Sequence, residues 1–327
     1  MALSRRSVML GLSSSIVLAN SKVSFGQELR KGALITIVVP FAAGGSADVM
    51  ARIICQRMAG LLGVNVVFEN RGGAGGTLAA TAVARANADG LTLLWGSIAT
   101  HAINPALTQS LKYDPVRDFS PVSLLVTLPN VLLVNSNVPA KDIGEFIALL
   151  KANPGKYSYA SSGNGTPLHL SGELFRMMSG TDIRHVPYRG AGPAMNDVVA
   201  GHVPVMFDTL ASATPHIEAG TVRALAVTTK DRSPTLPTVP TMIEAGLVGY
   251  ETYAWQGLFA PPNTPEAVIA QLNQAVNGAL ADPSTADRLR ALGATMVGST
   301  PEQLEEHVKA ELIKWAPVVK ASGAQLE

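Results

Sequence analysis

Short apolar runs rich in β-branched residues alternate with helical patterns along most of this chain. That alternation limits the possible folds more than any other feature. Strand candidates are Ile35–Val39, Val64–Phe68, Thr92–Gly96, Val131–Asn135, Tyr157–Ala160, Ile183–Tyr188, Val203–Phe207 and Val222–Thr228, with another at Trp255–Ala260. Their length and composition suit buried strands. The clearest helix between them places Val49, Met50, Ile53, Ile54, Met58, Leu61 and Leu62 on one face and stops at Gly63. Such a chain is expected to form an α/β fold, a largely parallel sheet with helices on its faces.

Two of the strand-to-helix junctions are unusual. The first reads Pro40-Phe41-Ala42-Ala43-Gly44-Gly45-Ser46-Ala47-Asp48, and the second Ser161-Ser162-Gly163-Asn164-Gly165-Thr166. A helix N-terminus carries unpaired backbone N–H groups and the positive end of a dipole, so it favours anions. Two such ends facing one cleft could hold a small carboxylate, or both ends of a dicarboxylate. Gly44, Gly45 and Ser46 could offer consecutive N–H groups, with Asp48 bracing the loop; a plain tight turn with Asp48 in the first helical turn explains the same letters. In the second loop Ser161, Ser162, Asn164 and Thr166 carry donors, while Gly163 and Gly165 permit close backbone approach. His169, just inside the next helix, could donate to a ligand, brace the loop or simply be half-buried.

Other polar residues lie at strand ends. Asp208 closes an apolar strand and needs a partner or a wet cleft; it could accept from a ligand ammonium or hydroxyl, anchor an opposing loop, or cap the next helix. Ser97, Thr100 and His101 follow another strand and could face the same cleft. The glycine cluster Gly72–Gly76 lacks the spacing and the lysine of a phosphate-binding loop. It fits a turn that brings the next helix tight against the sheet, with Arg71 reaching Glu69 or solvent. Arg189, in a loop after Tyr188, could aid closure or stand in solvent.

The last third changes character. Pro234, Pro237 and Pro240 mark an extended connection. Thr264-Pro265 and Thr300-Pro301 each place a hydroxyl before a proline at a helix start, and Gln303 completes a capping box with Thr300. Leu304, Val308, Leu312 and Trp315 then define the apolar face of a terminal helix.

Composition excludes several classes. Lys plus Arg number 25 against 24 Asp plus Glu, a net charge of +1, so nothing draws the chain to nucleic acid or an anionic membrane. Cys55 is the sole cysteine and the six histidines are scattered, which rules out an internal disulfide and argues against a metal site; no cofactor is expected. Residues 1–27 read as an export signal: Arg5 and Arg6 precede the apolar stretch Val8–Ala19 and a small-residue region. Ser4-Arg5-Arg6-Ser7 resembles a twin-arginine signal, and an ordinary Sec signal fits it equally.

The ordered strings Ile37-Val38-Val39-Pro40-Phe41, Val67-Phe68-Glu69-Asn70-Arg71-Gly72-Gly73-Ala74-Gly75-Gly76, Asn104-Pro105-Ala106-Leu107 and Tyr113-Asp114-Pro115-Val116 continue into Tyr159 through Thr166, His185 through Gly190, Met206-Phe207-Asp208 and Arg223 through Thr228. With the tail Val297 through Glu302, they make the chain closely resemble the Bug extracytoplasmic solute receptors, the binding proteins of tripartite tricarboxylate transporters. The resemblance implies a two-lobed, periplasmic-binding-protein-like fold with a ligand cleft between the lobes. Lobe one would combine residues 28–126 and 229–327, and lobe two residues 127–228. It implies a periplasmic, non-enzymatic receptor for a small carboxylate, working with the membrane subunits of a transporter; a monomer suits such a closing molecule. Its ligand-binding set would come from the two loops, Phe41, Ala43, Gly44, Gly45, Ser46 and Asp48 with Ser161, Ser162, Gly163, Asn164, Gly165, Thr166 and His169, joined by Ser97, His101 and Asp208. The first loop departs from many relatives in having Ala47 where a hydroxyl is frequent. Two other functions use the same residues: a metabolite sensor signalling through a membrane kinase, and a serine hydrolase, for which no Gly-x-Ser-x-Gly elbow is present.

Overall fold

The computed structural model describes residues 28–41, 43–108, 110–188 and 190–323. The expected export signal at 1–27, Ala42 and Arg189 therefore lie outside the described residues. The chain opens with β1 (Leu34–Val39), α1 (Ser46–Leu62), β2 (Asn65–Asn70), α2 (Thr77–Ala84), β3 (Thr92–Ser97) and the short α3 (Asn104–Leu107). β1 pairs in parallel with both β2 and β3. Helix α1 stops where the sequence says it should: Gly63 adopts φ +66° and returns its N–H to the Ala59 carbonyl.

The long strand β4 (Ser120–Asn135) then leads into α4 (Ile143–Ala152), β5 (Ser158–Ser161), α5 (Pro167–Ser179), β6 (Arg184–Pro187), α6 (Ala191–Val199), β7 (Val205–Thr209), α7 (Leu210–Glu218) and β8 (Val222–Val227). The chain closes with β9 (Tyr253–Ala260), α8 (Glu266–Ala281), α9 (Pro283–Ala291), β10 (Thr295–Met296) and α10 (Pro301–Ser322). Hydrogen-bonded neighbours run β2-β1-β3-β9-β4-β7-β5-β6, and β4 also pairs β8 and β10.

The sheet is mixed rather than largely parallel. β1 with β2 and β3, and β5 with β6 and β7, form two parallel groups. β4 and β9 carry the chain between those groups, so they run against the strands they join. β4 serves both groups: Ser120–Pro129 pair with β9, and Asn130–Asn135 with β7 or β8. Its first half was not foreseen, because two prolines interrupt the strand pattern. Proline lacks the ladder N–H and is confined to breaks in pairing. Pro121 sits beside a register shift, and Pro129 is the last partner of β9 before Asn130 turns to β7.

Both sheet faces are covered, which explains the continuous apolar strand runs. Ile35, Ile37 and Val39 pack under α1 and α8, whereas Val38 and Leu94 face α2 and α10 through Leu304, Val308 and Trp315. In the second group Leu132, Val134 and Phe207 face α4 and α5, and Val131, Leu133 and Met206 face α6 and α7. The proline-rich connection joins this second group. Thr241 bridges Val227, Met242 and Tyr250 are buried beside Phe207, and the Tyr250 hydroxyl donates to the Ser171 carbonyl at 2.7 Å.

The two helix starts differ. Thr300 and Gln303 form the reciprocal capping box. Thr264 caps nothing: its hydroxyl donates to the Pro261 carbonyl at 2.8 Å, and Pro265 stands at the N-cap of α8. Gly76 confirms the tight-turn reading of its cluster, since a Cβ there would lie 2.9 Å from the Pro40 Cβ. Arg71 donates to Glu69 at 2.9 Å.

Candidate functional site

In open α/β sheets, ligand sites form beyond the carboxyl ends of parallel strands. The ends of β1, β3, β5 and β7 and the segments after them carry the polar residues of the expected ligand-binding set. After β1, the exposed stretch Ala43–Ser46 is held from below by one carboxylate. Gly44, at φ +80°, donates its N–H to Asp48 Oδ2 at 2.9 Å, and Arg52 Nε donates to the same oxygen at 3.0 Å. Asn70 Nδ2 donates to Asp48 Oδ1 at 3.0 Å and to the Phe41 carbonyl at 3.1 Å. Burial pushes the Asp48 pKa up, but these donors outweigh it and hold the carboxyl below its ordinary value. No side chain caps α1, whose N-cap is Gly45. The first-turn N–H groups are therefore left to whatever occupies the space in front of them.

The loop after β5 is braced by histidines. Thr166 caps α5: its Oγ1 accepts from His169 N–H at 3.3 Å and donates to the Gly163 carbonyl at 2.8 Å. Gly165 N–H donates to His169 Nδ1 at 3.1 Å, which requires an unprotonated Nδ1. His169 stacks on His185 with ring centres 3.9 Å apart, and His185 Nε2 lies 2.7 Å from the Ser161 hydroxyl. Burial lowers the pKa of both rings, that of His185 to about 3. A serine–histidine bond also occurs in hydrolases. Ser161 is fully buried, however, and no carboxylate is hydrogen-bonded to His185 among the described residues. The pair braces the loop.

A cavity of about 310 Å³ brings the two halves of the chain together. Its walls include Phe41 from the first loop, Ser97 from the end of β3, and Asn164, Gly165, Thr166 and Pro167 from the second loop. Of the residues expected from sequence, Phe41, Ser97, Asn164, Gly165 and Thr166 line it. Ala43, Gly44, Gly45 and Ser46 are exposed beside Phe41, and Ser162 and Gly163 are half-buried behind Asn164. Asp48, Ser161 and His169 lie beneath the loops as supports.

His101 and Asp208 line no part of this cavity. His101 is fully buried, stacks on Phe259 at 3.8 Å and meets the Thr100 hydroxyl at 2.9 Å, and burial drives its pKa down to about 3. Asp208 is also fully buried. It accepts from Thr209 N–H at 2.7 Å and from the Ser212 hydroxyl, tying down the start of α7. Burial raises its pKa to about 6 despite those donors.

Sequence reasoning missed Asn104 and Gln256, which also line the cavity. Asn104 donates to the Gly75 carbonyl at 2.8 Å. Gln256 had a legible signal: it is the one polar side chain in the run Trp255-Gln256-Gly257-Leu258-Phe259. Among the described residues, none that lines the cavity is charged. Such a lining offers backbone amides, hydroxyls and side-chain amides rather than a cation clamp.

Comparison with known proteins places the chain in a family. The family described as Tripartite tricarboxylate transporter family receptor, TctC, matches residues 50–324. The solved periplasmic binding protein BugD is 37% identical, with a TM-score of 0.73, covering 90% of this chain and 99% of its own. A Rhodopseudomonas palustris protein solved with adipate is 38% identical, with a TM-score of 0.76 and coverage of 90% and 98%. MatC of Rhodopseudomonas palustris, solved with bound malate, is 41% identical, with a TM-score of 0.73 and coverage of 88% and 99%. With an α/β fold shared across nearly its whole described length, this chain belongs to the tripartite tricarboxylate transporter receptor family.

Proposed function

We propose that this protein is a periplasmic substrate-binding receptor that captures a small carboxylate between two lobes and delivers it to a tripartite tricarboxylate-type transporter. The observation that carries the reading is the cavity of about 310 Å³, whose described lining is uncharged and comes from the ends of β1 and β3 on one side and the β5–α5 loop on the other. That size falls at the lower end of small-molecule sites, as a compact organic acid requires. The adipate and malate bound by relatives are small carboxylates, which supports the same class here.

In this reading the β1–α1 and β5–α5 loops take the carboxylate oxygens through backbone N–H groups and the side chains of Ser46 and Asn164, while Thr166 holds the second loop in shape. Phe41, Ile98 and Leu107 cover the carbon skeleton. Asp48, His169 and His185 keep the loops in place, and Asp208 fixes the start of α7. The lobe boundaries expected from sequence, 127–228 for lobe two, are moved here to 130–252, leaving lobe one the described residues within 28–129 and 253–323. Packing of Met242, Leu247 and Tyr250 with Phe207 supports assigning 229–252 to lobe two. A ligand that touches both lobes shifts the population toward the closed form, and no covalent step is involved. The chain reaches the periplasm through its N-terminal signal and acts as a monomer.

Equilibrium binding to a panel of mono-, di- and tricarboxylates tests the proposal. Binding of one acid class with one ligand per chain is expected; ester turnover in place of binding would favour the hydrolase reading.

A further inference from the structure

Two polar side-chain atoms on the cavity wall have no hydrogen-bond partner among the described residues. Ser97 is 2% exposed and Gln256 is 8% exposed, and both Ser97 Oγ and Gln256 Oε1 are buried without a hydrogen bond. Buried polar atoms are nearly always paired, so an orphan of this kind calls for an explanation. These two are not independent. β3 and β9 are antiparallel, and Ser97 and Gln256 are direct register partners. Partners in register point to the same face of a sheet, and both residues line the same cavity. They form one polar spot flanked by Ile98, Ala254 and Leu107.

We infer that the Ser97–Gln256 pair recognises a hydroxyl group on the ligand, so that the receptor selects a hydroxy-carboxylate over the matching unsubstituted acid. The inference rests on the carboxylate reading above and names the substrate class within it. A hydroxyl both donates and accepts: it gives its proton to Gln256 Oε1 and takes one from Ser97 Oγ. A second carboxylate only accepts and would face the carbonyl oxygen of Gln256. With the amide turned round, two donors would face the ligand and a carboxylate would fit as well as a hydroxyl, which the test below reads as no preference. Water in the cavity can serve the pair before binding. A ligand that displaces that water without replacing its bonds loses affinity, whereas one with a suitably placed hydroxyl does not. Among the described residues, no charged side chain lines the cavity to override this preference.

The test is calorimetric titration of ligand-free protein with acid pairs that differ by one hydroxyl: L-malate against succinate, citrate against tricarballylate, and lactate against propionate. The wild type should prefer the hydroxylated member of the pair it binds by roughly tenfold or more. In Gln256→Leu and in Ser97→Ala that preference should shrink to about twofold or less, the larger loss of affinity falling on the hydroxylated acid. Because each change removes an orphaned buried polar atom, the ligand-free variants should melt at or above the wild-type temperature. That outcome would separate the role from a structural one. Equal binding of both members by the wild type, or equal weakening of both by the variants, would overturn the inference and leave the carboxylate receptor standing. Failure of the wild type to bind any acid in the panel would overturn both.

Discussion

Gly44 carries its positive φ on an exposed turn, and a Cβ built there meets nothing within 4 Å. A Gly44→Asp substitution therefore changes the site more than the fold. The backbone strain costs about 1 kcal/mol, while a fixed negative charge enters the place where a carboxylate is expected. Calorimetry should find binding abolished with the melting temperature lowered only slightly; unchanged affinity would remove the first loop from the site. Acid sensitivity also belongs to single residues. His101 and His185 sit at about 3 because burial disfavours their charged forms. Depressed histidines give stability that is complete above their unfolded value near 6.5 and is lost as pH falls toward the folded value. Asp208 acts in the opposite sense, its contribution being present below about 3.8 and lost as pH rises through about 6. With His169 and His307 also lowered, the histidines outnumber it, and stability should fall between pH 6.5 and 4. A His185→Gln variant should show a shallower fall by urea unfolding across that range; an identical slope would contradict the burial account.

At the scale of elements, α10 joins its strand through one buried acid. Glu311 Oε2 accepts from the Trp255 indole at 3.0 Å and the Trp315 indole at 2.9 Å. Glu311→Leu leaves both N–H groups buried and unpaired, so urea unfolding should show a loss of roughly 2–5 kcal/mol, with Glu311→Gln losing less. The fold's legibility varied by element. α1 and α10 were readable because glycine and capping-box signals coincide with their apolar faces. The first half of β4 was hidden by Pro121 and Pro129, whose places are explained only by its change of partners. The two loops were legible from their letters. The roles within them were not, because whether His169 lines a cavity or supports a loop depends on a stacking partner, His185, from another strand. Gln256 shows the same limit. Its isolation among apolar neighbours is visible in sequence, but its pairing with Ser97 exists only through β3–β9 register.

For the whole molecule, β4 and β9 are the strands that link the two parallel groups, and the cavity opens between residues supplied by each. Closure about these strands predicts a smaller radius of gyration in solution scattering when ligand is added, and no change on adding it to the Gly44→Asp variant. The central claim, that a small carboxylate is held at this junction, is tested most directly by thermal shift of protein refolded free of ligand. Small mono-, di- and tricarboxylates, amino acids and aromatic acids form the panel. A true ligand at about a hundredfold above its dissociation constant should add roughly 2.7 kcal/mol and raise the melting temperature for one class of carboxylate. A flat response to every carboxylate would contradict the account.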